Sequence, residues 1–179
     1  MEIIDVKKKQ WRELREIYVE AFPKAERKPF FIVKHSVKQG KAKILTAVEQ
    51  GKLQGFVMVI PYRNMAMVDY LAVSNKIRGQ GTGSKIIQEV CRRFSDKKIV
   101  LLIEQINNAA KNNEQRKSRR RFYLENGFYS SKIFINGYSG IMEILNYGST
   151  VSSEEYMDLQ RYALGNLMFW FSGIKLVKG

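Results

Sequence analysis

Residues 78–83 read RGQGTG, with glycine at positions 79, 81 and 83 and an arginine in front. Few features limit a fold as strongly, because so much bare backbone must be set by the elements on either side. Upstream, NMAMVDYLAV at residues 64–73 has the composition of a strand ending at Val73. Downstream, residues 84–94 place Ile86, Ile87, Val90, Cys91 and Phe94 on one face of a helix. The first N–H groups of a helix have no partners within it, and its dipole presents a positive end there. Glycines let such a backbone close around an anion, so the segment predicts a phosphate cradle. A glycine-rich surface turn is the plainer alternative. Two familiar phosphate loops are excluded by spacing: both G-x-x-x-x-G-K-[ST] and G-x-G-x-x-G need a glycine where Ser84 stands.

The rest of the chain supplies the frame. KQWRELREIYVEAFP sets Trp11, Leu14, Ile17, Tyr18 and Ala21 at helical spacing and stops at Pro23. A second helix opens at Pro29 and closes near Gly40. Residues 41–62 read as two strands with a turn at Gln50, Gly51 and Lys52. KKIVLLIEQI is nearly continuous in apolar residues, as a strand buried on both faces would be. EQRKSRRRFYLENG predicts a helix ended by Gly127, and residues 128–145 a hairpin turning at Asn136 and Gly137. Residues 152–171 predict one C-terminal helix, with Ser152 and Glu155 at capping-box spacing. Two helices, three strands, the glycine loop, then helix, strand, helix, two strands and helix make one α/β domain on a mixed sheet.

Composition narrows the class. A chain of 179 residues with 45% hydrophobic and 27% charged residues is globular and suggests one domain. The single cysteine, Cys91, allows no disulfide within the chain and suits a reducing compartment. The opening MEIIDVKKKQWREL is ordered wrongly for a secretory signal, and apolar stretches such as NLMFWF fall short of the ~20 residues that span a bilayer. The expectation is a soluble cytoplasmic protein with no membrane span. Net charge is extreme, +14, which attracts anions: nucleic acid, an acidic membrane surface or a polyphosphate ligand. Many of those charges simply solvate the surface. His35 is the only histidine and has no metal-ligand partners nearby, so no metal site is expected.

At this point the chain resembles the GNAT acetyltransferase superfamily. LAVSNKIRGQGTGSKII is similar to its acetyl-CoA-binding segment, [R/Q]-x-x-G-x-[G/A], with Arg78, Gly81 and Gly83 at the named positions. FYLENGF is similar to the second signature, Y-x-x-x-G-F, at Tyr123, Gly127 and Phe128. The resemblance implies a GNAT-like domain over residues 1–147, with a mostly antiparallel mixed sheet of six to seven strands and helices on both faces. Residues 148–179 would be a C-terminal helical extension packed on that domain. It implies acetyl-CoA as co-substrate, its pyrophosphate held by Arg78, Gly79, Gln80, Gly81, Thr82, Gly83 and Ser84. The pantetheine arm would pair with the backbone of Leu71, Ala72 and Val73. The Val73 N–H is a candidate donor to the thioester oxygen, which gains charge as an amine attacks.

Acetyl transfer to an amine needs two proton movements: one off the ammonium and one onto the departing thiolate. Tyr123 matches the superfamily's usual thiolate donor. Asp69, on the third strand, and Glu104, ending the next, are the candidate bases. Where many members carry asparagine and alanine, seven and four residues before the tyrosine, this chain has Arg116 and Arg119. These arginines would touch coenzyme A phosphates, for which Arg119 is the candidate, lie on a solvated face, or grip an acidic partner. The acceptor, a small-molecule or peptide amine, would meet Tyr18, Phe22, Glu26, Phe30 and Phe31. LMFWF would pack on the sheet or form a homodimer contact. A basic nucleic-acid-binding or regulatory module on a non-catalytic GNAT fold is the second class. No helix-turn-helix, zinc-finger or RNA-binding sheet motif supports it.

Overall fold

The computed structural model describes residues 1–137 and 140–177. The alternating apolar residues of 43–62 become β2 (Lys43–Glu49) and β3 (Lys52–Tyr62), antiparallel from Lys43 against Val59 to Glu49 against Lys52, with a register shift between Ala47 and Val48. The predicted turn closes through Gln50 and Gly51, both at positive φ (50° and 75°). Asp69 and the glycine loop follow from β4 (Met65–Val73), which leads into α3 (Thr82–Arg93). The sheet has eight strands, ordered β1-β2-β3-β4-β5-β7-β6-β8, and is mostly antiparallel.

That is more than the six to seven strands expected. The additions are β1 (Glu2–Asp5), antiparallel to β2, and β8 (Lys175–Leu176), antiparallel to β6. Both are too short to show a two-residue period in sequence. The C-terminal helix is also two helices. α5 (Ser153–Leu164) carries the predicted capping box, and Gly165, at φ 81°, ends it before α6 (Asn166–Ser172). Asn136 and Gly137 are not the hairpin turn. They belong to β6 (Tyr129–Gly137), where Asn136 pairs with Ile141 and Gly137 with Gly140 of β7 (Gly140–Tyr147), and the turn residues 138–139 lie outside the described residues.

The chain forms two compact units. The first, Met1–Pro61 with Val68–Arg93, holds α1 (Trp11–Ala21), α2 (Phe30–Lys38) and α3. Leu14, Ile17 and Tyr18 of α1 and Ile86, Ile87, Val90 and Cys91 of α3 are buried there, each apolar side chain contributing about 1.5–3 kcal/mol. Gly55 of β3 is fixed by crowding: a Cβ there would stand 2.6 Å from the Ala72 carbonyl oxygen and 3.1 Å from Ile86. The second unit, Tyr62–Met67 with Phe94–Gly179, contains β5 (Lys98–Glu104), whose Ile99, Val100, Leu101 and Ile103 are buried as the continuous apolar run predicted. Leu145, Tyr156 and Leu159 complete that core. On α6, Leu167, Met168, Trp170 and Phe171 are exposed. No helix among the described residues is long and apolar enough to cross a membrane.

Candidate active site

In the first unit, β4 delivers the chain to the glycine loop. Val68, Tyr70 and Ala72 are buried, while Asp69, Leu71 and Val73 share the partly exposed face. After a short 3-10 turn at Asn75–Ile77, Gly79 and Gly81 adopt φ 81° and 76°, a region closed to most side chains. Neither is crowded, since a Cβ at either would meet nothing within 4 Å. Backbone angle alone therefore requires glycine at both. The N–H groups of Gly79, Gly81, Thr82 and Gly83 have no acceptor among the described residues, whereas the Lys85 N–H already donates to the Gly81 carbonyl at 3.1 Å. Unpaired donors at the positive end of a 12-residue helix can bind an anion such as a phosphate.

Asp69 lies on the same strand. Its Oδ2 accepts a hydrogen bond from Lys28 Nζ at 2.6 Å, and that ammonium also lies 5.6 Å from the centre of the Tyr70 ring. The Tyr70 hydroxyl holds the approach in place: it donates to the Glu26 carbonyl (3.0 Å) and accepts from the Lys28 N–H (3.1 Å). The Tyr18 hydroxyl donates to the Lys28 carbonyl at 3.1 Å. Burial raises the pKa of both phenols, so both remain donors through the physiological range. Tyr18, Phe22 and Tyr70 pack ring against ring at 4.9–5.6 Å; Tyr18 is core, Phe22 is half-buried, and Glu26 and Phe31 are exposed.

In the second unit, α4 (Asn113–Glu125) carries Arg116, Arg119, Arg120 and Tyr123 at spacings of three and four, which is one helix face. Glu104, buried at the end of β5, accepts from Arg116 Nη2 (2.8 Å), Arg119 Nη1 (3.3 Å) and Asn112 Nδ2 (3.2 Å). Arg116 further donates to the Gln105 carbonyl (2.9 Å) and to Asn112 Oδ1 (2.8 Å). Arg120 grips Glu143 with Nε (2.9 Å) and Nη2 (3.2 Å). Arg116 and Arg120 are thus turned inward onto two buried carboxylates, whereas Arg121 and Arg119 are exposed, Arg119 with 44% of its side chain accessible. The Tyr123 ring is buried against Phe128 at 5.6 Å, and its hydroxyl has no hydrogen-bond partner among the described residues. Burial pushes the phenol up to about 12, with Arg119 opposing.

Asp69 and the glycine loop therefore belong to one unit, and Glu104, Arg119 and Tyr123 to the other. Sequence reading missed Lys28, whose partner lies 41 positions away with nothing local to announce it. It also missed that Arg116 and Glu104 are partners, although the three-and-four spacing of the arginines with Tyr123 was a signal of an inward face. His35 is exposed, and Cys91 is buried with its thiol raised to about 11 by burial.

Comparison with curated proteins found no significant match. Among solved structures, one described as a GNAT-family acetyltransferase from Bacteroides thetaiotaomicron aligns with TM-score 0.75 at 18% identity, covering 98% of this chain and all of that one. An aminoglycoside 6'-N-acetyltransferase complexed with coenzyme A aligns with TM-score 0.68 at 14% identity over 85% of this chain and 98% of its own. The ribosomal-protein-S18-alanine N-acetyltransferase from Escherichia coli aligns with TM-score 0.64 at 15% identity over 86% and 96%. These likenesses establish the fold. A family model described as "Acetyltransferase (GNAT) domain" matches residues 40–130, just over half of the sequence and inclusive of β4, the glycine loop, the arginines of α4 and Tyr123. The chain belongs to the GNAT acetyltransferase family.

Proposed function

We propose that the chain is an acetyl-CoA-dependent N-acetyltransferase that moves the acetyl group to a primary amine by direct attack. The observation that carries this reading is the loop after β4, where two positive-φ glycines hold N–H groups without internal acceptors at the positive end of α3. In this reading residues 71–73 run along the pantetheine arm and residues 78–84 hold the pyrophosphate. Arg119, exposed beyond its contact with Glu104, keeps donors for a further phosphate. The bound thioester supplies an activated acetyl carbon; the chain supplies position and proton transfer. Asp69 accepts the proton of the ammonium, freeing the nitrogen lone pair for attack. Tyr123 gives its proton to the departing sulfur. Its phenol is protonated throughout the working range and has no partner to give up. Glu104 is not assigned as the base, because guanidinium and amide N–H groups already occupy its oxygens. Residues 1–147 are the acetyltransferase domain, 148–179 its C-terminal extension, and the lone buried Cys91 suits a reducing cytoplasm.

Calorimetry tests the reading. Wild-type protein binds acetyl-CoA, and Gly81→Val weakens binding at least ~10-fold, about 1.4 kcal/mol. The variant still folds, since its Cβ meets open space and only backbone strain of ~1–2 kcal/mol is added. Absence of acetyl-CoA binding at high micromolar wild-type protein overturns the proposal. Coenzyme A release with a panel of amines then identifies the acceptor. The solved neighbours differ there, one acting on an aminoglycoside and another on a ribosomal-protein alanine.

A further inference from the structure

The acceptor's charge class can be read from what already sits on Asp69. A strand carboxylate that takes the proton of an ammonium must first be reachable by that ammonium. Here the position is filled by the chain's own Lys28 Nζ at 2.6 Å. The contact is built rather than incidental: the Tyr70 hydroxyl pins the backbone on both sides of Arg27, and the Tyr18 hydroxyl holds the Lys28 carbonyl. A polycationic acceptor would therefore meet a carboxylate that is already neutralised, beneath a segment that is itself basic. Between Pro23 and Ala42 stand Lys24, Arg27, Lys28, Lys34, Lys38 and Lys41 against Glu26 alone. Lys41 and Lys28 also repel one another: burial and the Lys28 charge hold the Lys41 ammonium below its usual value. A ligand anion beside Lys28 would relieve that repulsion.

The geometry points to an acceptor that is a primary amine carrying its own anionic group, recognised by Lys28, which acts as the specificity-determining residue. This deepens the acetyltransferase reading and rests on it. The ligand anion draws Lys28 off Asp69, and the uncovered carboxylate then takes one proton from the ligand ammonium. That leaves a neutral amine and a carboxylic acid, with no change in total charge. Binding of the anion and readiness of the base are in this way one event. Amines lacking the anion leave Lys28 where it is.

The test compares O-phosphoethanolamine and an ω-amino carboxylate with spermidine and a neutral alkylamine, in wild type, Lys28→Met and Lys28→Arg. Two readouts are used: kcat/KM from coenzyme A release, and calorimetric binding of each amine without acetyl-CoA. Wild type prefers the anionic amines by at least ~10-fold, and the two anionic probes separate phosphate from carboxylate recognition. Lys28→Met loses that preference through KM, binds the anionic amines at least ~10-fold more weakly and gains affinity for spermidine; Lys28→Arg retains the preference. Spermidine bound and turned over better than the anionic amines by wild type, or an unchanged ratio in Lys28→Met, overturns the inference while acetyl-CoA binding stands. Loss of acetyl-CoA binding by wild type fells the acetyltransferase reading and this one with it.

Discussion

Tyr123 and Glu104 show how differently two motif-level residues can be used. Tyr123 combines a buried ring, a partnerless hydroxyl and a phenol raised to about 12, so it keeps its proton through the physiological range. Tyr123→Phe should lower kcat by about 10- to 1,000-fold and leave acetyl-CoA affinity nearly unchanged. No limb of the wild-type rate profile below pH ~10 should belong to this residue. Unaltered turnover on the true acceptor would return Tyr123 to simple packing. Glu104 answers to stability instead. Removing it leaves Arg116, with 12% of its side chain accessible, facing an uncompensated pocket. Glu104→Ala should therefore cost about 3–5 kcal/mol of folding free energy, visible in the urea midpoint. If stability holds while only activity falls, Glu104 is a base after all. The place of Tyr123 on the inward face of α4 was legible, because it follows from the helical spacing of its own segment. The partners of Glu104 were not legible in the sequence, because they are set by long-range packing of α4 on β5.

At the level of elements, the strand–loop–helix unit was the most legible part of the chain. Its glycines must meet a backbone requirement that local sequence states directly, and β4 and α3 appear where their periods placed them. The join between α3 and β1 was invisible. Arg93 reaches from the end of α3 to Asp5 (3.0 Å) and the Ile3 carbonyl (3.0 Å), while its Nε holds Glu89 at 2.7 Å. Nothing in the four residues of β1 announces that clasp. It has a pH signature. Hydrogen bonds from Arg92, and then Arg93, hold the Glu89 carboxyl near 2, against an ordinary 4.5. A lowered folded-state value means that the stabilisation is present above pH 4.5 and is lost as pH falls toward 2. Glu89→Gln should cost about 1 kcal/mol at neutral pH after solvent screening, and the gap in melting temperature from wild type should close on acidification through that window. A gap that stays constant down to pH 3 would show that the clasp is not electrostatic.

For the whole molecule, the count of 31 Lys and Arg side chains overstates what a polyanion could grip. Arg116 and Arg120, which look like the heart of a basic patch in sequence, are folded onto Glu104 and Glu143. Nucleic-acid binding should accordingly be weak and should disappear as salt approaches ~150 mM, because few phosphates can be neutralised at once. Micromolar or tighter binding that survives there would restore the binding-module reading. Composition reported the charge correctly but could not report its direction, which depends on the face that α4 turns to β5 and β7. One last feature turns the protein into its own reporter. Its two tryptophans sit in opposite surroundings: Trp11 packs edge-on against Phe30 at 5.9 Å with the Lys34 ammonium 5.5 Å above its ring, whereas Trp170 is 77% exposed on α6. Iodide can reach the second far more readily than the first, so quenching separates their light. With Trp170 replaced by phenylalanine, the remaining emission comes from the seam between α1 and α2, beside the segment that carries Lys28, and any rearrangement of that segment becomes visible as a change of colour without an attached dye.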